Sequence, residues 1–382
     1  MMSGLNDLPP QTLNLLIDLR RQLHSCAEPP GREVQTRELL KRFFKSHAPQ
    51  WVCQEYAGGS MAMLYEGTSI GPTLLVRCEL DAVPLALGSD EKVRAAHRCG
   101  HDGHMAILAG LALALQRKAP MCGRIVLLFQ AAEENGMGAL TVCKDERFIA
   151  LRPEFILGLH NLPGWPLGQV VVRAGSMCCA SRGLEVVFTG QPGHASYPEL
   201  GVSAAMAVSR LIQELENLDS PDPSASGMRM ATIIGARLGE KHFGSIPDRA
   251  EVWATLRTDT NEAMTRWTHD AVDLVRMIAE QHGLQVSWNW QDVFPVVSND
   301  KEACVLVRRA AGRARLSVFE PKAPFRWSED FAHYAAYGRA AMVGLGSGET
   351  CATLHSEDYV FPDALIPAGV SLLYSVVQEM GI

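Results

Sequence analysis

Apolar positions recur along this chain with two periods, and the switches between them outline a fold. Residues 11–24 and 36–46 show helical spacing; in the second stretch Leu39, Leu40, Phe43 and Phe44 share one face. Thr73-Leu-Leu-Val-Arg77 is a short apolar run that stops at a polar cluster, as a strand ending in a loop does. Residues 105–115 are apolar all round and too long for a strand, which predicts a buried helix. Residues 124–130 and 155–159 read as buried strands. Strand and helix therefore alternate through the first 180 residues, which argues for a mostly parallel sheet covered on both faces. In such sheets chemistry gathers in the loops at the carboxyl ends of strands. Polar clusters follow Arg77, Phe129 and Leu159 in that way.

The middle of the chain changes character. Residues 183–189 alternate like a half-buried strand, 201–218 carry helical period, and Ser220-Pro-Asp-Pro-Ser breaks it. Residues 228–238 and 250–257 read as strands and 284–290 alternates again. Between them, 261–282 is an amphipathic helix with Met264, Trp267, Ala271, Leu274, Val275 and Ile278 on one side, closed by Gly283. The order β-α-β-β-α-β is the ferredoxin-like arrangement. From 293 onward helix and strand alternate and the chain closes on a helix at 366–380. The predicted architecture is an α/β catalytic domain with a mostly parallel sheet (residues 1–180 and 293–382) and an inserted ferredoxin-like α+β lid at 181–292. No internal repeat is evident.

Composition narrows the class. The chain has 382 residues, twice a typical domain, and 47% hydrophobic content allows a full core. A formal charge of −7 gives no electrostatic reason to bind nucleic acid or anionic lipid. The longest apolar stretch, 105–115, is far short of the roughly 20 residues that span a bilayer. No basic leader precedes an apolar core at the N-terminus, and the ten cysteines form no C-x-x-C framework. A cytoplasmic protein with reduced thiols is the expectation.

His97-Arg-Cys-Gly-His-Asp-Gly-His104 packs three imidazoles, a thiol and a carboxylate into eight residues. These are the ligands of first-row metals, and Gly100 and Gly103 let the backbone turn so that neighbouring side chains converge. Glu133-Glu134 follows a buried strand, where one carboxylate can bind metal while the other takes a proton from water. His160 follows another strand, and His355 lies far along in Thr353-Leu-His-Ser-Glu-Asp358. Each is a weak signal by itself; their value depends on whether the four segments meet. Gly344-Leu-Gly-Ser-Gly348 lacks the third spaced glycine of a dinucleotide loop and reads as a structural loop. A thiol nucleophile at Cys99 would leave Glu133, Glu134, His160 and His355 without roles.

Four segments come in the order and approximate spacing of one amidohydrolase group: Arg77-Cys-Glu-Leu-Asp-Ala-Val-Pro84, Cys99-Gly-His-Asp-Gly-His104, Phe129-Gln-Ala-Ala-Glu-Glu134 and His160-Asn-Leu-Pro163. Further matches are Arg20-Arg-Gln-Leu-His24 with Glu33 and Thr36, Gly190 to Pro198, Ile246-Pro-Asp248, Ser328-Glu-Asp-Phe331 and Leu354-His-Ser356. The chain resembles the aminoacylase-like metallopeptidases, in the branch of hippurate hydrolases and indoleacetyl-amino-acid hydrolases (peptidase family M20, subfamily D). That resemblance implies a zinc-peptidase-like catalytic domain holding two divalent ions (zinc, manganese, cobalt or nickel) and a ferredoxin-like lid. It places the metal ligands at Cys99, His101, Glu134, His160 and His355, the general base at Glu133, and supporting carboxylates at Asp81 and Asp102. It gives His194, in the lid, the role of donating a hydrogen bond to the tetrahedral oxyanion.

The implied reaction is hydrolysis of an N-acyl amino acid of acetyl, benzoyl or arylacetyl type, with Arg249 and Arg257 as candidates for the substrate carboxylate by location. Alternatives are a dipeptidase or exopeptidase of the same fold, and a metal-bound binding protein without turnover. A homodimer through the lid is open, since the family is commonly dimeric. Three departures bear on substrate. Glu79 stands where the branch usually has Asp, Gly244 where it has a substrate-contacting Asn, and the loop between Asp81 and Cys99 is shorter than usual.

Overall fold

The computed structural model describes residues 8–85, 94–117, 122–217 and 228–382. The chain packs as two compact units. The first is drawn from residues 1–177, 298–322 and 330–382, the second from 178–297 with 323–329.

The first unit is built on an eight-stranded mixed sheet. In spatial order it runs Val52–Glu55, Met61–Glu66, Cys122–Gln130, Ser69–Glu79, Phe155–Leu162, Arg339–Gly346, Val170–Val171 and Val318–Phe319. The four strands from Cys122–Gln130 to Arg339–Gly346 are mutually parallel, and antiparallel neighbours flank them. Leu74, Leu75, Val76, Ile125 to Phe129, Ile156 and Leu157 are all buried, because helices cover a parallel sheet on both faces. The helices Pro10–Ser25, His101–Arg117, Lys301–Ala314 and Ile366–Glu379 contribute to one continuous core with it. The apolar run at 105–115 is the interior of the His101–Arg117 helix, as its all-round pattern predicts.

His160 lies on the strand Phe155–Leu162, paired with Gly344, rather than after it. Gly344 to Gly346 are the end of the strand Arg339–Gly346, so the glycine-rich run is loop only from Ser347.

The second unit is a four-stranded antiparallel sheet in the order Arg229–Leu238, Arg249–Thr258, Ala180–Thr189, Gln285–Phe294. The helices Ala205–Asn217 and Asn261–Gln281 complete the β-α-β-β-α-β order. Leu184, Val186 and Phe188 point to one face, where they meet Leu211, Leu215, Trp267, Val275 and Ile278. Thr260 caps the long helix by accepting from Ala263 N–H at 3.1 Å. The helix expected from 201 begins at Ala205, because Val202 first pairs with Gln191 in extended form. Its expected end at 218, the break at 220–224, and residues 86–93 of the loop between Asp81 and Cys99 lie outside the described residues.

Residues 323–329, placed in the catalytic part by the sequence division, pack with the second unit. Cys179 N–H donates to the carbonyls of Phe325 and Trp327 at 2.9 and 3.2 Å. Among the described residues no helix is long and apolar enough to cross a membrane.

Candidate metal centre

Four stretches of the first unit bring the predicted residues together. Asp81 follows the strand Ser69–Glu79, Glu133 and Glu134 follow Cys122–Gln130, His160 sits near the end of Phe155–Leu162, and Cys99 and His101 flank the start of the His101–Arg117 helix. Gly100 makes that turn with φ +94°, and a Cβ there would lie 2.4 Å from Asn161 Oδ1. Only glycine both adopts the left-handed backbone and admits Asn161 so close. Gly103 has the second reason for a glycine, since a Cβ there would run into the Phe361 ring at 2.3 Å.

The donor atoms converge. Cys99 Sγ lies 3.4 Å from His160 Nε2. Ligand atoms lie within 4.8 Å of one another in each of three groups: Cys99, His101 and His160; Cys99, Glu134 and His355; His101, Glu133 and Glu134. His101 Nε2 is 3.9 Å from Glu134 Oε1, and His355 Nε2 is 4.0 Å from Glu134 Oε2.

Each buried imidazole is oriented from behind. His101 Nδ1 bonds the Asp81 carbonyl and His160 Nδ1 the Asn161 carbonyl, both at 2.8 Å. A carbonyl oxygen only accepts, so both Nδ1 atoms carry the proton and both Nε2 lone pairs face the cluster. His101 Nε2 and Glu134 Oε1 are buried without a hydrogen-bond partner among the described residues. Each such group costs about 1–3 kcal/mol. A divalent cation at this point would satisfy both, and the thiol, imidazole and carboxylate set suits first-row metals.

Electrostatics favours the same conclusion. Burial pushes His160 down to about 3 and His101 well below its ordinary value, so both are neutral and able to ligate. Burial, then the Glu79 charge, pushes Glu134 up to about 7. Burial and Glu134 together raise Asp81 as well. Asp81 Oδ2 accepts the Glu134 N–H at 2.9 Å, while Oδ1 has no hydrogen-bond partner among the described residues. Each of these two carboxyls is thus raised in part by the negative charge of another carboxylate near it.

Backbone strain marks two of these positions. His355 has φ +66° with its N–H on the Arg98 carbonyl at 2.9 Å, and Ala132, just before Glu133, has φ +55°. Left-handed backbone costs a residue with a Cβ roughly 1–2 kcal/mol, so contacts from elsewhere must hold it.

A buried polar layer lies behind the cluster. Arg77, fully buried, donates from Nε to Gln130 Oε1 at 2.9 Å, from Nη1 to Glu79, and from Nη2 to Asp330 Oδ1 at 2.7 Å. Glu79 reaches His104 Nδ1 with its other oxygen at 2.7 Å, and His104 Nε2 lies 2.6 Å from Asn161 Oδ1. Burial alone would raise Glu79; Arg77, His104 and His101 outweigh it and hold the carboxyl well below its ordinary value. The longer side chain at this position thus spans two partners. Asp102 accepts from Arg20 Nη1 at 3.1 Å and bonds His24 Nδ1 at 2.9 Å, which ties the His101–Arg117 helix to Pro10–Ser25. Of the other histidines of the 97–104 segment, His104 borders the cluster, with a ligand atom within 4.8 Å of one on His101, but both its ring nitrogens are engaged by Glu79 and Asn161; burial lowers the enclosed His97 to about 4.

The remaining candidates lie in the second unit. His194 is exposed, and its Nδ1 accepts the Ser196 N–H at 3.0 Å, which leaves Nε2 as the protonated, donating nitrogen. Its loop is paired with 244–246: Ala195 N–H donates to the Gly244 carbonyl and Ile246 N–H to the Gly193 carbonyl, both at 3.0 Å. Arg249 binds its neighbour Glu251 at 2.9 Å. Arg257 Nη1 donates to the Arg326 carbonyl and Ser328 Oγ, each at 2.9 Å, so it has a structural partner.

Asn161, Gln130 and Tyr334, whose hydroxyl donates to Gln130 Oε1 at 2.8 Å, carry no signal of their roles in the sequence. Arg77 and Asp330 were visible only as members of motifs. The available signal was a charged residue inside an otherwise apolar strand, Arg77, which must find a buried counter-charge.

Residues 75–379 match the family described as peptidase family M20/M25/M40. An N-acetyl-L-cysteine deacetylase of Bacillus subtilis is 30% identical over 338 residues, which cover 87% of this chain and 80% of that one. The IAA-amino acid hydrolase ILR1-like 2 of Arabidopsis thaliana is 28% identical, covering 97% of this chain and 86% of its own. Among solved structures, a dinuclear metal-binding peptidase of the M20 family from Bacillus subtilis superposes with a TM-score of 0.78 at 24% identity, over 97% of this chain and 98% of that one.

Proposed function

We propose, from the premise that this chain belongs to peptidase family M20/M25/M40, that it is a metal-dependent amidohydrolase splitting the amide bond of an N-acyl amino acid. The observation that carries the reading is the convergence of Cys99, His101, Glu134, His160 and His355 with Glu133, where His101 Nε2 and Glu134 Oε1 are buried without a hydrogen-bond partner among the described residues. The names of the relatives, a deacetylase of N-acetylcysteine and a hydrolase of indoleacetyl conjugates, support a small N-acyl amino acid as substrate.

Cys99, His101, Glu134, His160 and His355 would hold two divalent ions, of zinc, manganese, cobalt or nickel. When bound, these supply Lewis acidity that polarises the scissile carbonyl and acidifies water. Glu133 takes the proton of the attacking water and passes it to the departing amine nitrogen. His101 and His160 are held neutral by burial and do not compete for that proton. His194 is assigned to donate from Nε2 to the oxyanion; this role rests on the resemblance and on the bond at its Nδ1. Arg249 and Arg257 remain candidates for the substrate carboxylate. Ten free cysteines suit a reducing compartment, the cytoplasm, and a homodimer through the second unit would follow the resemblance.

The test is amino-acid release from N-acetyl, N-benzoyl and indoleacetyl amino acids, with manganese or zinc added and after EDTA treatment. Release that EDTA abolishes and metal restores is the expected outcome, and the best acyl group identifies the pocket. Dipeptide cleavage without release from the panel would move the activity to the exopeptidase reading. Metal binding with no turnover on either would point to a binding protein.

A pH dependence follows from Glu134. Its carboxyl rises from an ordinary 4.5 to about 7 in the metal-free site, so the folded protein favours the neutral form. The contribution to stability is complete below about 4.5 and is lost as pH rises through about 7. The thermal midpoint of metal-free protein is expected to fall across that window. A metal-loaded sample should fall much less, because the ion takes the ionised carboxylate. Loading below about pH 7 should also release protons, read by calorimetry in buffers of different ionisation enthalpy.

A further inference from the structure

Three side chains from distant segments hold the backbone around the Glu133-Glu134 pair. Ala131 N–H donates to Ser60 Oγ at 3.0 Å, Ala132 N–H to Glu33 Oε1 at 2.8 Å, and Glu134 N–H to Asp81 Oδ2 at 2.9 Å. Between them lies the left-handed Ala132, with φ +55°. Its conformation sets the direction in which the chain leaves the strand Cys122–Gln130, and hence where the next residue, Glu133, points. Alanine does not favour that conformation, so something must impose it.

Glu33 is placed to do so. It is 3% exposed and immediately precedes the helix Val34–His47. The same Oε1 also accepts the Gly31 N–H at 2.8 Å, which anchors the oxygen to its own loop before Ala132 reaches it. On the other side the Ala132 carbonyl accepts the Gly138 N–H at 2.9 Å. Ala132 is thus gripped at both ends of its peptide units, and the Glu33 grip comes from a separate part of the chain. Oε1 serves purely as an acceptor, and an amide carbonyl could replace it.

We propose that Glu33 is a positioning residue for hydrolysis: it holds Ala132 in the left-handed conformation and thereby aims the Glu133 carboxylate. The inference rests on Glu133 being the general base, as read above. Glu33→Gln, Glu33→Ala, Ala132→Gly and the double variant Glu33→Ala/Ala132→Gly test it. Glu33→Gln keeps the accepting oxygen and is expected to stay within about two-fold of wild-type kcat. Glu33→Ala is expected to lose about 10- to 100-fold in kcat with little change in KM, while still binding its metal, because Asp81 continues to hold Glu134. Glycine adopts φ +55° unaided, so the double variant is expected to regain most of that loss.

A merely structural role predicts something different. Glu33→Ala would then act only by leaving two N–H groups without their acceptor, whatever residue stands at 132, so Ala132→Gly would recover none of the lost kcat. A Glu33→Ala enzyme with wild-type kcat, or a double variant no better than Glu33→Ala, overturns the proposal. So does a loss of kcat that only tracks lost metal. A crystal structure of metal-free Glu33→Ala gives a readout independent of turnover. Ala132 is expected to relax to negative φ, and its staying left-handed also overturns the proposal. If wild-type protein hydrolyses none of the amides while Ala132 does relax in that variant, it is the amidohydrolase reading that fails.

Discussion

Glu133→Gln is expected to lower kcat by about 10²–10⁴-fold, the range a positioned general base supplies, and to leave metal content unchanged. The amide is nearly the size of the carboxylate and fills the same buried position, so packing is kept and the ability to take a proton is lost. Glu133 is 5% exposed, with ligand atoms of His101 and Glu134 within 4.8 Å, so a substitution there tests chemistry at the centre of the cluster. The comparison that gives the result its meaning is Glu134→Gln. Glu134 stands between His101 and His355, at 3.9 and 4.0 Å, and its replacement should reduce metal content as well as rate. Metal analysis beside steady-state kinetics separates the two. Full metal content with wild-type kcat in Glu133→Gln would remove the base from the mechanism. Equal metal loss in both variants would make Glu133 a ligand instead.

Arg77→Met should cause the largest loss of stability. The guanidinium is fully buried and serves Gln130, Glu79 and Asp330 at once, so its removal leaves two buried carboxylates without their counter-charge. Breaking a buried ion pair from one side typically costs about 3–5 kcal/mol. Urea unfolding of the metal-free variant, compared with wild type, should shift to lower denaturant accordingly. Arg77→Lys preserves the charge but offers one nitrogen where the three acceptors surround a fork, and it should recover only part of the loss. A Met variant as stable as wild type would mean that Gln130 and His104 can satisfy Asp330 and Glu79 by themselves. Activity should suffer too, because Gln130 ends the strand that delivers Glu133 and Glu79 supports His104 beside Asn161.

The strands and helices were legible wherever one element carried its own periodic signal. The helix Asn261–Gln281 is amphipathic along its whole length, and the central strands are apolar throughout because both faces are covered. Pieces without such a signal were not legible, the following two stretches among them. The strands Val52–Glu55 and Met61–Glu66 pair antiparallel at the sheet margin, where burial is uneven and neither strand alternates clearly. The 323–329 stretch has no period of its own, and its membership in the second unit depends on Cys179 and Arg257, residues far away in the chain.

The same division runs through the candidate site. Residue chemistry was readable in one dimension: thiol, imidazoles and carboxylates at the ends of predicted strands are metal ligands by type, and Gly100 already indicated a turn between two of them. How those groups are aimed was not. The proton positions on His101 and His160 follow from carbonyls of Asp81 and Asn161, the left-handed Ala132 is held by Glu33 from 99 residues away, and the counter-charge of Arg77 includes Asp330, 253 residues distant. Periodicity reports which face of one element avoids water, an average over neighbours in the chain. The direction of a side chain or a strained peptide depends on single hydrogen bonds between segments that only the folded sheet brings together. Periodic elements and ligand chemistry are therefore legible along the chain, whereas the marginal strands and the aim of each donor follow from contacts between distant segments.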